Sequence, residues 1–130
     1  MTAVLTRRYA SPDLTECGGA VSSETLLVLT TCGNAADAGN LATLLVEQRL
    51  AACVNALGKV TSTYRWRGRV QQDQETLLVI KTTAARYPAV EQAIRAHSKY
   101  ELPEVLAIPV AAGSSAYLDW VRESVAASED

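Results

Sequence analysis

The first strongly patterned stretch of the chain is a run of apolar and β-branched residues from Thr25 to Thr31. A short continuous run of this kind is typical of a strand that is central in a sheet or covered on both faces. Cys32-Gly33 interrupts the run, and Asn34 then provides a favourable N-cap. Apolar residues recur at helical spacing from there to about Arg49. The pattern therefore predicts a strand followed by an amphipathic helix.

A long two-armed hairpin is predicted from Ala52 to Thr82, with the tip sequence Tyr64-Arg-Trp-Arg-Gly-Arg69. Apolar and polar residues alternate with period two along the first arm, and Gly58 within it predicts a bulge or bend. Each arm is about twice the usual strand length of roughly 5–6 residues. A small domain has no core large enough to cover such arms, so we expect part of the hairpin to pair with another chain.

The second arm changes character along its length. Gln71 to Glu75 is polar on both faces, whereas Leu77 to Ile80 is apolar on both. The base of the arm is therefore predicted to lie in the core. Tyr87 opens a second amphipathic pattern, which must end before Pro103 because the residue ahead of a proline is disfavoured in a helix.

The last third of the chain predicts one more strand and one more helix. Val105 to Val110 is a strand-like run in which Pro109 indicates an edge or a bulge. Ser114 or Ser115 then caps a final helix. The element order βαββαβ with a C-terminal helix, combined with the right-handed crossover rule, predicts an α+β fold. It is the ferredoxin-like split βαβ arrangement, an antiparallel sheet with two helices on one face.

Composition and charge fit one globular domain. The 130 residues are 48% hydrophobic and 20% charged, with a formal net charge of −2. This charge gives no reason to expect nucleic acid or a membrane surface as a partner. No apolar run approaches the roughly 20 residues of a membrane-spanning helix. We expect a flexible leader over residues 1–23, which lacks the apolar core of a secretory signal, and a folded domain over 24–130.

The cysteines indicate a reducing compartment. The chain has three, Cys17, Cys32 and Cys53, which is an odd number without a C-x-x-C pair. This pattern predicts neither a disulfide framework nor a zinc site, and it favours the cytoplasm. The chain also lacks a Gly-rich phosphate loop, a G-x-S-x-G motif and an H-E-x-x-H motif. We therefore expect no enzyme.

Four separated segments resemble the CutA divalent-cation-tolerance proteins. They are Leu50 to Asn55, Tyr64 to Gly68, Glu75 through Lys81-Thr82, and His97 to Val105. The resemblance covers roughly residues 25–125. It implies a ferredoxin-like subunit in a tight homotrimer, with long strands pairing between subunits. It also implies a link to the tolerance of copper and other divalent metal ions.

The resemblance leaves two functions open. Trimeric PII signalling proteins have a similar architecture, so the alternative to a cation-tolerance protein is a module that binds a small molecule or nucleotide in clefts between subunits. One group of residues would line such a cleft, if the loop before the fourth strand lies against a neighbour's hairpin tip. The group is Tyr64, Trp66, Glu75, Lys81, Tyr100, Glu101 and Glu104. The same residues could instead form an interface salt bridge with aromatic packing and no ligand.

Three side chains are candidate metal ligands, for copper or another divalent cation. His97, the one histidine, falls near the end of its helix, where it would serve either as a ligand or as a cap. Cys32 precedes a helix N-terminus, a position that lowers thiol pKa values, and is the better candidate for a reactive thiol, although we favour no function for it. Cys53 is either a third ligand or a small buried hydrophobe.

Overall fold

The computed structural model describes residues 24–126, so the predicted leader lies outside the described residues. Within these residues the elements are β1 (Thr25–Cys32), α1 (Ala35–Glu47), β2 (Cys53–Trp66), β3 (Arg69–Thr83), α2 (Tyr87–His97), β4 (Leu106–Pro109) and α3 (Ser115–Ser124). Their order confirms the predicted βαββαβ pattern with a C-terminal helix. Across the described part of the chain, no helix combines the length and the apolarity that a membrane crossing requires.

The strands form one four-stranded sheet in the order β2-β3-β1-β4, with every neighbouring pair antiparallel. β1 is central, as its continuous apolar run predicts, and is flanked by β3 and β4. β4 is a short edge strand, which agrees with the edge position that Pro109 indicates. The architecture is the predicted α+β ferredoxin-like fold.

The core lies between one face of the sheet and the first two helices. Val28, Leu78 and Ile80 point to this face and are fully buried. They pack in one cluster with Leu45 of α1 and Ile94 of α2. The cluster forms because β residues two apart share a face, while helical residues three or four apart share a stripe.

The first helix begins where the sequence predicts and ends two residues early. The Asn34 side chain accepts a hydrogen bond from the backbone N–H of Asp37 at 2.8 Å, so it is the N-cap. At the other end Arg49 adopts a left-handed φ of 59°. This turn lets the N–H of Leu50 bond the Leu45 carbonyl at 2.9 Å, which closes the helix in a Schellman arrangement.

The second face of the sheet is apolar and only partly covered. Leu27 and Leu29 of β1 and Val79 of β3 alternate with the core residues and are half-buried. On the outer strands Leu57, Leu106 and Ile108 are 45%, 56% and 44% exposed. Cross-strand register places all of them on this face. We call it the apolar sheet face.

Candidate functional site

The hairpin places its aromatic tip by a tight turn. Arg67 and Gly68 both have positive φ angles, 53° and 80°, which is the geometry of a two-residue type I′ hairpin turn. Trp66 therefore pairs directly with Arg69. A bulge interrupts the pairing lower down, between Leu57 and Val60, as Gly58 predicts. The left-handed residue of the bulge is Lys59, however, with a φ of 60°.

The loop before β4 is tied to three different elements by three consecutive residues. Lys99 contacts the Asp37 carboxylate on α1 at 3.1 Å. Tyr100 donates from its hydroxyl to the Glu75 carboxylate on β3 at 2.5 Å. Glu101 pairs with Arg67 at the hairpin tip at 2.9 Å. The loop thus contacts the hairpin of its own chain, and the contact with a neighbour's hairpin tip stays a prediction.

A groove of about 610 Å³ lies between this loop and the hairpin. Six of the seven residues predicted for a cleft line it, namely Tyr64, Trp66, Glu75, Tyr100, Glu101 and Glu104. Sequence reasoning missed Lys99 and Leu102, which also line the groove. Their position on either side of Tyr100 was the available signal, because a short loop brings neighbouring residues to the same wall.

Lys81, the seventh predicted residue, lies outside this groove. It pairs across the sheet with Leu27 and Cys53 at the base of the hairpin. Its ammonium lies 5.8 Å from the ring centroid of Tyr117 on α3, so an aromatic face, and not one of the predicted carboxylates, is its neighbour. A role for Lys81 in a cleft between chains stays a prediction.

Burial and the Glu75 carboxylate set the ionisation of Tyr100. Burial raises the pKa of the Tyr100 hydroxyl, and the hydrogen bond to Glu75 and the charge of that carboxylate raise it further. The phenol therefore stays neutral and remains a donor. The hydroxyl of Tyr64 bonds the Asp73 carboxylate on the facing strand in the same way.

The candidate metal ligands divide between two places. His97 and Cys32 line a smaller cavity of about 200 Å³, between the start of α1 and the end of α2. Cys53 lies elsewhere, opposite Lys81 in the sheet. Within residues 24–126, no three His, Cys, Asp or Glu side chains are grouped as a metal site requires. The described part of one chain therefore does not form a complete metal centre.

Neither Cys32 nor His97, the two candidate ligands that line the smaller cavity, is activated as a nucleophile. Burial raises the pKa of the Cys32 thiol, and the nearby Asp37 and Glu75 carboxylates raise it further, which disfavours the reactive thiolate that its position before a helix suggested. The Nδ1 atom of His97 lies 2.9 Å from the Ala93 carbonyl of its own helix, so the imidazole caps that turn.

The resemblance in the sequence is confirmed by comparison with known proteins. A family model described as CutA1 divalent ion tolerance protein matches residues 26–124. The chain is 46% identical over 98 residues to the divalent-cation tolerance protein CutA of Thermus thermophilus, an alignment that covers 75% of this chain and 95% of that protein. Against Protein CutA of Homo sapiens the identity is 40% over 113 residues, covering 87% of this chain and 63% of the human protein.

Solved structures agree with the sequence comparison. CutA1 from Oryza sativa matches with a TM-score of 0.79 and 35% identity, over 83% of this chain and 99% of that one. The structure of the divalent cation tolerance protein from Thermus thermophilus matches with a TM-score of 0.77 and 44% identity, over 78% of this chain and 99% of that one. The family model, the sequence identities and the structural matches all identify the same family. The chain belongs to the CutA1 divalent ion tolerance protein family.

Proposed function

We propose that this protein acts in divalent-cation tolerance as a non-catalytic homotrimer. The observation that carries the assembly is the apolar sheet face. Its outer residues Leu57, Leu106 and Ile108 stand in solvent in the single chain, where apolar area costs about 25 cal/mol per Å² relative to burial. Contiguous exposed apolar surface of this kind marks an interaction site. β2 and β4 also leave the two sheet edges open for pairing with other chains.

The assembly is tested by light scattering at low micromolar concentration. A homotrimer gives three times the 13.9 kDa mass of one chain. A monomer under these conditions would refute the proposal. A dimer would keep an interface but reject the threefold arrangement.

Cation binding, in this proposal, needs ligands from more than one chain. His97 and Cys32 share a cavity in one chain but are too few for a closed site. A second chain could complete the set with Cys53 or carboxylates. The test is titration of the assembled protein with copper(II) and copper(I), comparing wild type with His97→Ala and Cys32→Ser. Superimposable isotherms for all three proteins would remove both side chains as ligands.

The absence of catalytic turnover has its own support. The raised pKa of Cys32 disfavours the thiolate, and His97 uses Nδ1 to cap its helix. Both cysteines among the described residues are free thiols, which supports the cytoplasm as the compartment. Fractionation against a cytosolic and an envelope marker checks that location, and recovery with the envelope fraction would contradict it.

A second candidate function rests on the groove beside the hairpin. Its volume of about 610 Å³ falls within the range of roughly 300–1,000 Å³ that is typical of small-molecule sites. Aromatic walls with a few polar groups are also typical of such sites. We therefore propose, as the alternative, that the groove binds a small organic molecule, in the manner of a PII-like module.

A further inference from the structure

Aromatic side chains form much of the wall of the groove. Tyr64 and Trp66 reach it from the hairpin, and Tyr100 reaches it from the loop before β4. Leu102, which is 73% exposed, adds an apolar surface from the same loop. The electron-rich faces of aromatic rings attract organic cations within about 6 Å of the ring centroid. The walls can therefore contact both the charge and the apolar body of such a ligand.

The charges that line the groove do not balance. Among the described residues Lys99 is its one cationic lining residue, and the ammonium is 3.1 Å from Asp37, which is not in the groove wall. Glu101 is already paired with Arg67. Glu75 and Glu104 have no cationic partner within residues 24–126.

Of these two carboxylates, Glu75 is expected to attract a bound cation more strongly. It is half-buried, and its described partner is the neutral hydroxyl of Tyr100. A hydrogen bond from a neutral donor orients the carboxylate without cancelling its charge. Attraction to a cation is also screened less at a half-buried carboxylate than at an exposed one.

The chain itself contains an example of a cation held in this way. The Arg67 guanidinium lies 5.4 Å from the ring centroid of Trp66, and one of its nitrogens is 2.9 Å from the Glu101 carboxylate. An aromatic face and a carboxylate of the groove thus hold a planar organic cation together. Tyr100 and Glu75 bring a second ring and carboxylate together, joined through the Tyr100 hydroxyl, and no described cation pairs with this carboxylate.

We propose that the groove binds an organic cation, an ammonium or guanidinium group carried on a flat or apolar body. The charge lies near Glu75 and Glu104, and the body packs against the rings of Tyr64, Trp66 and Tyr100. This inference rests on the second candidate function, that the groove holds a small molecule. It adds the sign of the charge and the chemical class of that molecule.

The test uses three indole probes of similar size and different charge. Tryptamine is a cation, tryptophol is neutral and indole-3-acetate is an anion. Each is titrated by calorimetry into the full-length assembled protein at pH 7 and low salt. Tryptamine is expected to bind about tenfold more tightly than tryptophol, because cation–π contact and an unpaired carboxylate both favour it. Indole-3-acetate is expected to bind most weakly.

Three variants locate the binding site. Glu75→Gln and Glu104→Gln should each weaken tryptamine binding about three- to tenfold. In the first variant the amide oxygen still accepts from the Tyr100 hydroxyl, so the change removes charge and preserves the local hydrogen bond. Glu123→Gln is the matched control, since it removes the same charge from a position on α3 outside the groove. It should leave the affinity unchanged.

The possible outcomes distinguish a failure of the organic-cation proposal from a failure of the proposal that the groove binds a small molecule. Equal or tighter binding of tryptophol or indole-3-acetate, lost on changing groove residues, overturns the cation class but keeps the groove as a small-molecule site. Unchanged tryptamine affinity in both Glu75→Gln and Glu104→Gln overturns the placement. If no probe binds up to about 1 mM, a free energy near −4 kcal/mol, both the inference and the groove function are rejected.

Discussion

The hydrogen bond from Tyr100 to Glu75 makes a quantitative prediction about stability. Replacing Tyr100 with Phe keeps the ring and removes the donor, so the half-buried Glu75 carboxylate loses its described partner. A hydrogen bond to a charged group contributes about 1.5–3 kcal/mol. Because Tyr100 remains 38% exposed, water replaces part of that bond. We therefore expect Tyr100→Phe to lower the free energy of unfolding by about 1 kcal/mol, roughly fivefold in the folding equilibrium.

The same contact predicts how the effect depends on pH. The pKa of Tyr100 is raised in the folded protein above its ordinary value of 10.0. Below pH 10 the phenol is neutral in both states, so its full contribution is present. Above pH 10 the unfolded chain loses this proton first, and stability falls by up to about 1.4 kcal/mol per pH unit. The advantage of wild type over Tyr100→Phe should therefore disappear about one unit above pH 10.

The assay is urea denaturation of wild type and variant at one protein concentration, since the proposed assembly would make stability depend on concentration. Tyr117→Phe is the matched control. Tyr117 is similarly exposed, at 42%, and its hydroxyl has no hydrogen bond among the described residues. The reasoning fails if Tyr100→Phe is no less stable than Tyr117→Phe at pH 7. It also fails if the difference from wild type persists unchanged above pH 10.

Burial and backbone geometry support three further predictions. Ile108→Lys should dissociate the proposed homotrimer, whereas Val46→Lys, at a helix position of similar exposure, should leave the mass by light scattering unchanged. The same mass for both variants would contradict an interface on the apolar sheet face. Gly68→Ala should lower the free energy of unfolding by about 1 kcal/mol because of its φ of 80°, while Gly39→Ala in α1 should raise it by up to about 1 kcal/mol. In thermal melts the melting temperature should fall for Gly68→Ala and rise for Gly39→Ala. A shift in the same direction for both variants would count against the left-handed turn at Gly68. Ile80→Ala should cost about 2–5 kcal/mol by urea denaturation, and a loss below about 1 kcal/mol would mean that Ile80 is not in a packed core.

Local patterns predicted the elements because their causes are local. The alternation along β2 places Tyr64 and Trp66 on one face in any sheet that contains the strand. The Asn34 side chain caps α1 through an N–H only three residues away. Such contacts need no distant partner, so the sequence is sufficient to find them.

Boundaries and bulges were less predictable because they depend on pairing. Gly58 indicates a bulge, but the left-handed backbone falls on Lys59. The position of this left-handed residue is set by the register, which pairs Leu57 with Leu77 and Val60 with Glu75. That register is a property of two strands together. The end of α1 depends similarly on the closing bond from Leu50.

In the candidate site, too, the sequence predicted the residue types, whereas tertiary contacts decided which residues lie together. Glu75 and Lys81 belong to one strand and to the same face, and the sequence alone treats them as neighbours of one cleft. Along an extended strand they lie about 20 Å apart, so one loop cannot contact both. The loop docks at the Glu75 end through Tyr100 and Glu101, which leaves Lys81 to Tyr117.

The sequence by itself determined the fold class and the long hairpin, because periodicity and turn chemistry act over a few residues, and the resemblance of four of its segments indicated the family. Only the tertiary structure decided which carboxylates are paired, that the Cys32 pKa is raised, and that one sheet face stays apolar and open. These properties are sums over groups far apart in the chain. Burial and charge depend on which of those groups the fold brings together.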